Sequence, residues 1–320
     1  MLRIGIIGAG PNGTGNARKL AQHDQRCRIA AVADPNRAAA EALAGVYGAR
    51  VFENVHDVLG DVDAVVISSP NFLHAEQAIA CADAGKHVWI EKPMALTLAD
   101  ADRIVAAVTR AKVASMVGFS VRYDAAIWTL RALYNEGRIG PLFSLWSRRL
   151  SWFDPAPRAS WRTDFAKSGG LLSEILAHEI DWIINMAGMP TSVYCRTTAR
   201  QKKDPRDNEH VWLTMAFNGD VTGTIEGSSM ALVPDYYRGV IGARGALYTQ
   251  HWGQQLVLQT GKNETQQIEP LQAYDKHAHF LDVIEGRAAP LGDVHAGRAV
   301  VAVSEKAIES ARSGAVTHLE

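Results

Sequence analysis

Residues 2–37 read LRIGIIGAGPNGTGNARKLAQHDQRCRIAAVADPNR. An apolar run, Ile4 to Ile7, is followed by Gly8, Gly10 and Gly13 in the spacing G-x-G-x-x-G. A helical segment comes next, then a second apolar run, Ile29 to Ala33, ending on Asp34. In such a strand–turn–helix unit the first glycine permits a tight turn. The second lets a pyrophosphate approach the backbone, and the third allows close helix–strand packing. The helix N-terminus, with Pro11 and Asn12 in its opening turn, offers free N–H groups and positive dipole to phosphates. Asp34 stands at the distance where an acid accepts the hydroxyls of an adenine ribose. The stretch therefore predicts a dinucleotide site. An acid there favours NAD, because it repels the 2′-phosphate of NADP. Arg37 keeps NADP open, since a nearby arginine accommodates that phosphate; its other readings are a solvated helix face or a stack on adenine.

A length of 320 residues suggests about two domains. A net charge of −1 gives no footprint for nucleic acid or an anionic membrane. No apolar stretch approaches the ~20 residues that span a bilayer. The first strand opens at Leu2, so no signal peptide is expected. Cys27, Cys81 and Cys195 are far apart and odd in number, so they suit neither a disulfide framework nor a metal site. The histidines show no metal spacing with carboxylates either, and no metal is expected. The expected location is the cytoplasm.

Apolar runs at 4–8, 29–33, 64–67, 87–90 and 113–117 alternate with helical stretches such as 38–47, 74–84 and 98–111. That alternation predicts a doubly wound parallel sheet, whose ligands bind beyond the carboxyl ends of the strands. The pattern changes after Phe119. A helix over 124–135 precedes strand-like segments at 142–150, 192–200, 210–217, 220–228, 236–242 and 246–250. Asn218-Gly219-Asp220 reads as a hairpin turn. A helix over 171–186 interrupts the strands, and two more, about 273–285 and 295–312, close the chain. The polar stretch 201–208 reads as a loop. We expect a dinucleotide-binding domain over 1–120 and a mostly antiparallel α+β domain over 121–320, the final helices being able to pack back on the first.

Two segments then carry a resemblance: Ser69-Pro70-Asn71-Phe72-Leu73-His74, and Gly85-Lys86-His87-Val88-Trp89-Ile90-Glu91-Lys92-Pro93. Together with Gly169-Gly170 … His178-x-x-Asp181, they resemble the family of glucose–fructose oxidoreductase, inositol dehydrogenase and rhizopine-catabolism proteins. The Glu-Lys-Pro triplet is that family's signature. The resemblance covers essentially the whole chain. It implies an N-terminal Rossmann domain, a C-terminal domain on an open antiparallel sheet, and NAD- or NADP-dependent redox chemistry on sugars and cyclitols. It also implies that Lys92 and His178 are the catalytic pair, and that Asn71, His74 and Glu91 line the nicotinamide half, with Ser69 and Pro70 beside them; His74 reads equally as a helix-start residue with a local hydrogen bond.

Oxidising a secondary alcohol sends hydride to the nicotinamide and the hydroxyl proton to a base. A histidine suits the proton step, and a lysine ammonium stabilises developing alkoxide. The two roles remain exchangeable. Glu174, His178 and Asp181 are spaced i, i+4, i+7, which places three ionisable groups on one helix face. The commonest form of the family has aspartate where Glu174 stands and glycine where Leu176 stands. Glu174 is a candidate orienting group, and Asp181 a candidate for binding substrate hydroxyls. Arg122, Trp161 and Arg162 are the favoured pocket walls among a wider set with Tyr123, Arg149, Trp152 and Phe153; His251, Tyr236 and Tyr237 are weaker.

The expected function is a nicotinamide-dependent dehydrogenase or reductase of a sugar, inositol or similar polyol. One alternative is a redox-neutral glycosidase or lyase that oxidises its substrate transiently. Another is a non-catalytic nucleotide sensor, against which the presence of both Lys92 and His178 argues. A sheet face left bare by helices favours association, so a homodimer or homotetramer is expected.

Overall fold

The computed structural model describes residues 1–152, 161–198, 209–250 and 253–319. The chain divides into two units, 1–119 with 274–298, and 120–273 with 299–320. Phe153, His251 and the stretch 201–208, all singled out above, lie outside the described residues.

In the first unit strand and helix alternate: β1 (Leu2–Ile7), α1 (Pro11–Leu20), β2 (Cys27–Ala33), α2 (Arg37–Tyr47), β3 (Arg50–Phe52), α3 (Val55–Val58), β4 (Ala64–Ile67), α4 (His74–Asp83), β5 (His87–Ile90), α5 (Leu98–Ala111) and β6 (Ser115–Val117). The strands pair in parallel in the order β3-β2-β1-β4-β5-β6, which is the doubly wound order. Every residue of β4 is fully buried, as a strand covered by helices on both faces requires. The register of β1 against β2 and β4 brings Gly8, Asp34 and Ser68 to the same end of the sheet.

The second unit holds α6 (Ala125–Asn135), β7 (Leu142–Trp152), α7 (Phe165–Ser168), α8 (Gly170–Glu174), α9 (Ala177–Ala187), β8 (Ser192–Thr198), β9 (His210–Ala216), β10 (Thr222–Ser228), β11 (Met230–Gly242), β12 (Gly245–Gln250), β13 (Gln255–Gly261) and β14 (Glu264–Ile268). Helix α10 (Lys276–Ile284) belongs to the first unit; α11 (Val294–Ser313) and β15 (Thr317–His318) follow. The nine strands run β14-β13-β12-β11-β7-β10-β9-β8-β15. Among the described residues β7 and β10 pair in parallel, and the other pairs are antiparallel. Phe217 N–H donates to Val221 O, closing the β9–β10 turn with Gly219 and Asp220 at positive φ. One face of the sheet buries Leu145, Cys195, Leu213, Ile225, Val240 and Leu247; α6 packs on β12 and β13, α8 on β9, and α9 on β7 and β10. The opposite face carries Trp146, Tyr194, Trp212, Tyr237 and Ile241, of which Trp212 is 47% and Ile241 42% exposed.

The helix expected over 171–186 is two helices. The N–H groups of Ile175 and Leu176 both donate to Leu171 O and close the first, while Leu176 O accepts from Glu179 and Ile180 and opens the second. The break lets Leu176 settle against β10. A Cβ on Gly227 would stand 2.5 Å from a Leu176 methyl. Gly227 thus makes room for the bulk that Leu176 brings. Glu174, His178 and Asp181 do not share one helix face; only the last two lie on α9.

The tightest backbone approach is in the first unit. A Cβ on Gly13 would lie 1.9 Å from Gly8 O, a backbone atom that cannot yield. Gly13→Ala should therefore cost on the order of 3 kcal/mol. A fall in melting temperature with weakened NAD binding is expected; an unchanged melting curve would contradict this packing.

Candidate active site

Side chains cap α2, α5 and α6: Asn36, Thr97 and Asp124 accept from first-turn N–H groups. Helix α1 has no capping side chain and no acid in its first turn, and Pro11 sits at its start. Its opening N–H groups and dipole are left for a ligand. Gly10 has nothing within 4 Å of where a Cβ would stand, so that backbone borders open space. Asp34 Oδ2 accepts from Ala9 N–H at 2.7 Å and Oδ1 from Asn36 N–H at 2.8 Å. Each oxygen keeps a second lone pair for a ribose hydroxyl. The carboxylate is thereby fixed between the glycine turn and the loop after β2. Arg37 lies on the exposed side of α2, 2.7 Å from Glu41 in an i, i+4 ion pair, which agrees with a solvated helix face rather than a phosphate contact. The donor set, the cradle and the acid fit a dinucleotide with a free 2′-hydroxyl.

Glu91, Lys92 and Pro93 follow β5, and the Lys92–Pro93 bond is cis. Glu91 is buried. Its Oε1 accepts from Asn16 Nδ2 at 2.9 Å, and Asn16 Oδ1 faces His277 Nε2 at 3.1 Å. Burial, with Lys276 beside it, pushes the His277 imidazole down to about 4. The ring is therefore neutral near pH 7, and its Nε2–H donates to Asn16. Gly118 permits the carboxylate its place, since a Cβ there would meet Glu91 Oε2 at 2.5 Å. Neither Asn16 nor His277 was singled out from sequence; their partners lie 75 and 261 residues away. His74 is 1% exposed. Its two ring nitrogens lie 2.8 Å from Pro93 O and 2.9 Å from Ser69 O. At the start of α4, His74 ties the loop after β4 to the loop after β5. Ser69 Oγ donates to Gln77, and Asn71 is buried at the start of the turn before α4.

In the second unit His178 lies in the first turn of α9 and is 9% exposed. Asp181 is fully buried, and both its oxygens accept from Arg122, at distances down to 2.6 Å. Asp181 and Arg122, both expected at the substrate pocket, meet each other in an ion pair. They hold α9 to the turn before α6. Glu174 accepts from Arg162 Nε at 3.0 Å, and the Arg162 guanidinium lies 4.4 Å from the Trp161 ring centre. Trp161, Arg162 and Glu174 thus form one partly exposed group, joined to α9 by Ile175 and Leu176.

The sequence reading passed over Glu179, which is fully buried. It accepts from Arg238 Nε and Nη2, both at 2.8 Å, from Arg149 at 3.1 Å and from Ser147. Burial raises its carboxyl, but the guanidiniums and the hydroxyl outweigh that and hold it below the usual range. Among the described residues no group of three His, Cys, Asp or Glu could hold a metal ion. No described helix is long and apolar enough to cross a membrane. Burial raises the Cys81 and Cys195 thiols to about 12, so neither is a thiolate nucleophile near pH 7.

Residues 2–119 match the oxidoreductase family with an NAD-binding Rossmann fold, and residues 127–248 match the GFO/IDH/MocA C-terminal domain. A 2,7-anhydro-N-acetylneuraminate hydratase of Escherichia coli (strain K12) is 29% identical, over 77% of this chain and 67% of its own length. An inositol 2-dehydrogenase of Rhizobium meliloti (strain 1021) is 36% identical over 56% of this chain, and the match spans about half of that enzyme, 53%. A levoglucosan dehydrogenase solved with NADH and levoglucosan superposes with a TM-score of 0.89 at 22% identity, covering 99% of each chain, which shows a shared fold. With both domains matched over most of its length, this chain belongs to the GFO/IDH/MocA family of NAD-binding oxidoreductases.

Proposed function

We propose that this protein oxidises or reduces a secondary alcohol or ketone on a sugar, cyclitol or similar polyol, with Lys92 and His178 serving the reacting oxygen. The observation that carries the reading is the Glu91-Lys92-Pro93 turn, which leaves β5 at the sheet end where the glycine motif and Asp34 also lie. Bound NAD supplies the hydride acceptor. The chain supplies the rest. Lys92 stabilises charge on the carbinol oxygen, and His178 carries its proton, or the two exchange those roles. Asn16 fixes Glu91 beside Lys92. Arg162, Trp161 and Glu174 form a wall against the substrate. Ser69, Pro70 and Asn71 border the cofactor. The inositol 2-dehydrogenase relative supports polyol redox chemistry. The second reading is a redox-neutral glycosidase or lyase, in which oxidation is transient and NAD is regenerated; the name of the hydratase relative is its one point of support. Appearance of NADH absorbance during turnover distinguishes the first reading from the second. A cytoplasmic location accords with either.

Proton transfer by a positioned side chain is worth ~10²–10⁴-fold. Lys92→Ala and His178→Ala should each lose about that much turnover while still binding NAD, and the losses should not multiply in the double variant. Near-normal turnover of either single variant would refute the pair.

Asp34→Ser should narrow or reverse a preference for NAD over NADP, read as the ratio of kcat/KM for the two cofactors. A wild-type preference for NADP would transfer the decisive role to Arg37.

The exposed Trp212 and Ile241 on the bare sheet face support a homodimer or homotetramer. Sedimentation at micromolar concentration should give a species of at least two chains; a stable monomer would overturn this.

A further inference from the structure

The cluster beneath α9 is unbalanced in charge. In the β7–β11 pairing Ser147 lies opposite Arg238, and Arg149 opposite Tyr236. All four residues therefore point to the face on which α9 rests. There, among the described residues, one carboxylate, Glu179, meets two guanidiniums. Arg238 is 2% exposed and spends two donors on Glu179, with its guanidinium 4.2 Å from the Tyr236 ring centre. Arg149 differs. It gives Glu179 one hydrogen bond, from Nη1, and its side chain is 26% exposed. The flat guanidinium lies 5.5 Å from the Tyr236 ring centre. The other carboxylate of α9 does not correct the balance, because Asp181 is taken by Arg122. Arg131 lies with that pair and donates to Asn185, and burial together with Arg122 pushes its guanidinium below the usual value.

A surplus cation held half-buried, with donors to spare, is a ready carboxylate site. The guanidinium fork matches two carboxylate oxygens, and partial burial strengthens the attraction. His178 and Glu179 share the first turn of α9, so Arg149 meets the same helix turn that carries the proposed proton carrier. We propose that Arg149 binds a carboxylate on the substrate, and hence that the substrate is a sugar acid or polyol acid rather than a neutral polyol. This rests on the reading of His178 given above. A bound carboxylate gives the two guanidiniums two anions and completes the cluster.

The test uses substrate pairs that differ only in a carboxylate against a hydroxymethyl group: glucuronate with glucose, galacturonate with galactose, gluconate with sorbitol. The wild-type protein should favour the acid. Arg149→Met should lower kcat/KM for the acid by roughly 10–100-fold and change the neutral partner by less than about threefold. Arg149→Lys, which keeps the charge and loses the fork, should fall between. Arg238 still pairs with Glu179 in both variants, and melting curves close to wild type will verify that they fold. Equal use of acid and neutral partner by the wild type, or an equal loss for both in Arg149→Met, overturns the proposal and leaves the polyol chemistry standing. If no compound reduces NAD, it is the proposed chemistry that fails. Calorimetry of the same pairs on the NADH-bound protein then decides the carboxylate site. Acid binding that Arg149→Met abolishes supports it, and absent or unselective binding overturns it.

Discussion

Glu179 carries its charge where no water reaches it, and the placement of α9 depends on that. A buried carboxylate is tolerated only where opposite charges and donors meet it; removing one partner of such a pair costs about 3–5 kcal/mol. Arg238 and Arg149 come from neighbouring strands, and Ser147 from the same strand as Arg149. Arg238 and Ser147, which give it three of its four hydrogen bonds, define one spot on the sheet where Glu179 can sit. Fixing it there fixes the first turn of α9, and with it the direction taken by His178. The Arg122–Asp181 pair adds a second tie two residues further along. Two ionic contacts thus set the roll of a short helix that apolar packing alone would leave freer to rotate.

The first unit solves a similar problem with neutral groups. Glu91 is held by an amide, and the amide by a neutral imidazole, so each buried polar atom in the line has a partner. His74 closes the neighbouring loop by facing two carbonyls. These contacts leave Lys92 on a turn whose flanks, Glu91 and Pro93, are both anchored. Preorganisation of that kind matters for a residue asked to meet developing charge.

Local signals carried much of this into the sequence. Strands β1, β4 and β5 stand out as apolar runs, and the loops after them could be named because ligands of such sheets lie at strand ends. Strand β3 escaped notice because Arg50–Phe52 is three residues long. Strands β13 and β14 escaped because Gln255–Ile268 is largely polar, as suits an edge hairpin. The break between α8 and α9 has no proline or glycine to announce it. Apolar residues continue through Ile175 and Leu176, and the glycine that makes room for the break is Gly227, on another strand. Glu179, Asn16 and His277 were invisible for the same reason. Each is defined by a partner at least 59 residues distant, and no window along the chain holds both members.

The dinucleotide-binding unit is discontinuous, since α10 joins it from beyond residue 273. Chains emerge from the ribosome N-terminus first, and domains tend to fold as units during synthesis. Here the first unit must wait. Until His277 has been made, the amide oxygen of Asn16 lacks its donor, and Trp89 lacks the His277 and Phe280 rings that pack against it. The second unit's sheet is complete through β14 before that point. Nascent chains of this protein therefore carry the Glu91–Asn16 line unfinished while the second unit's strands are made, and it closes only as α10 is delivered.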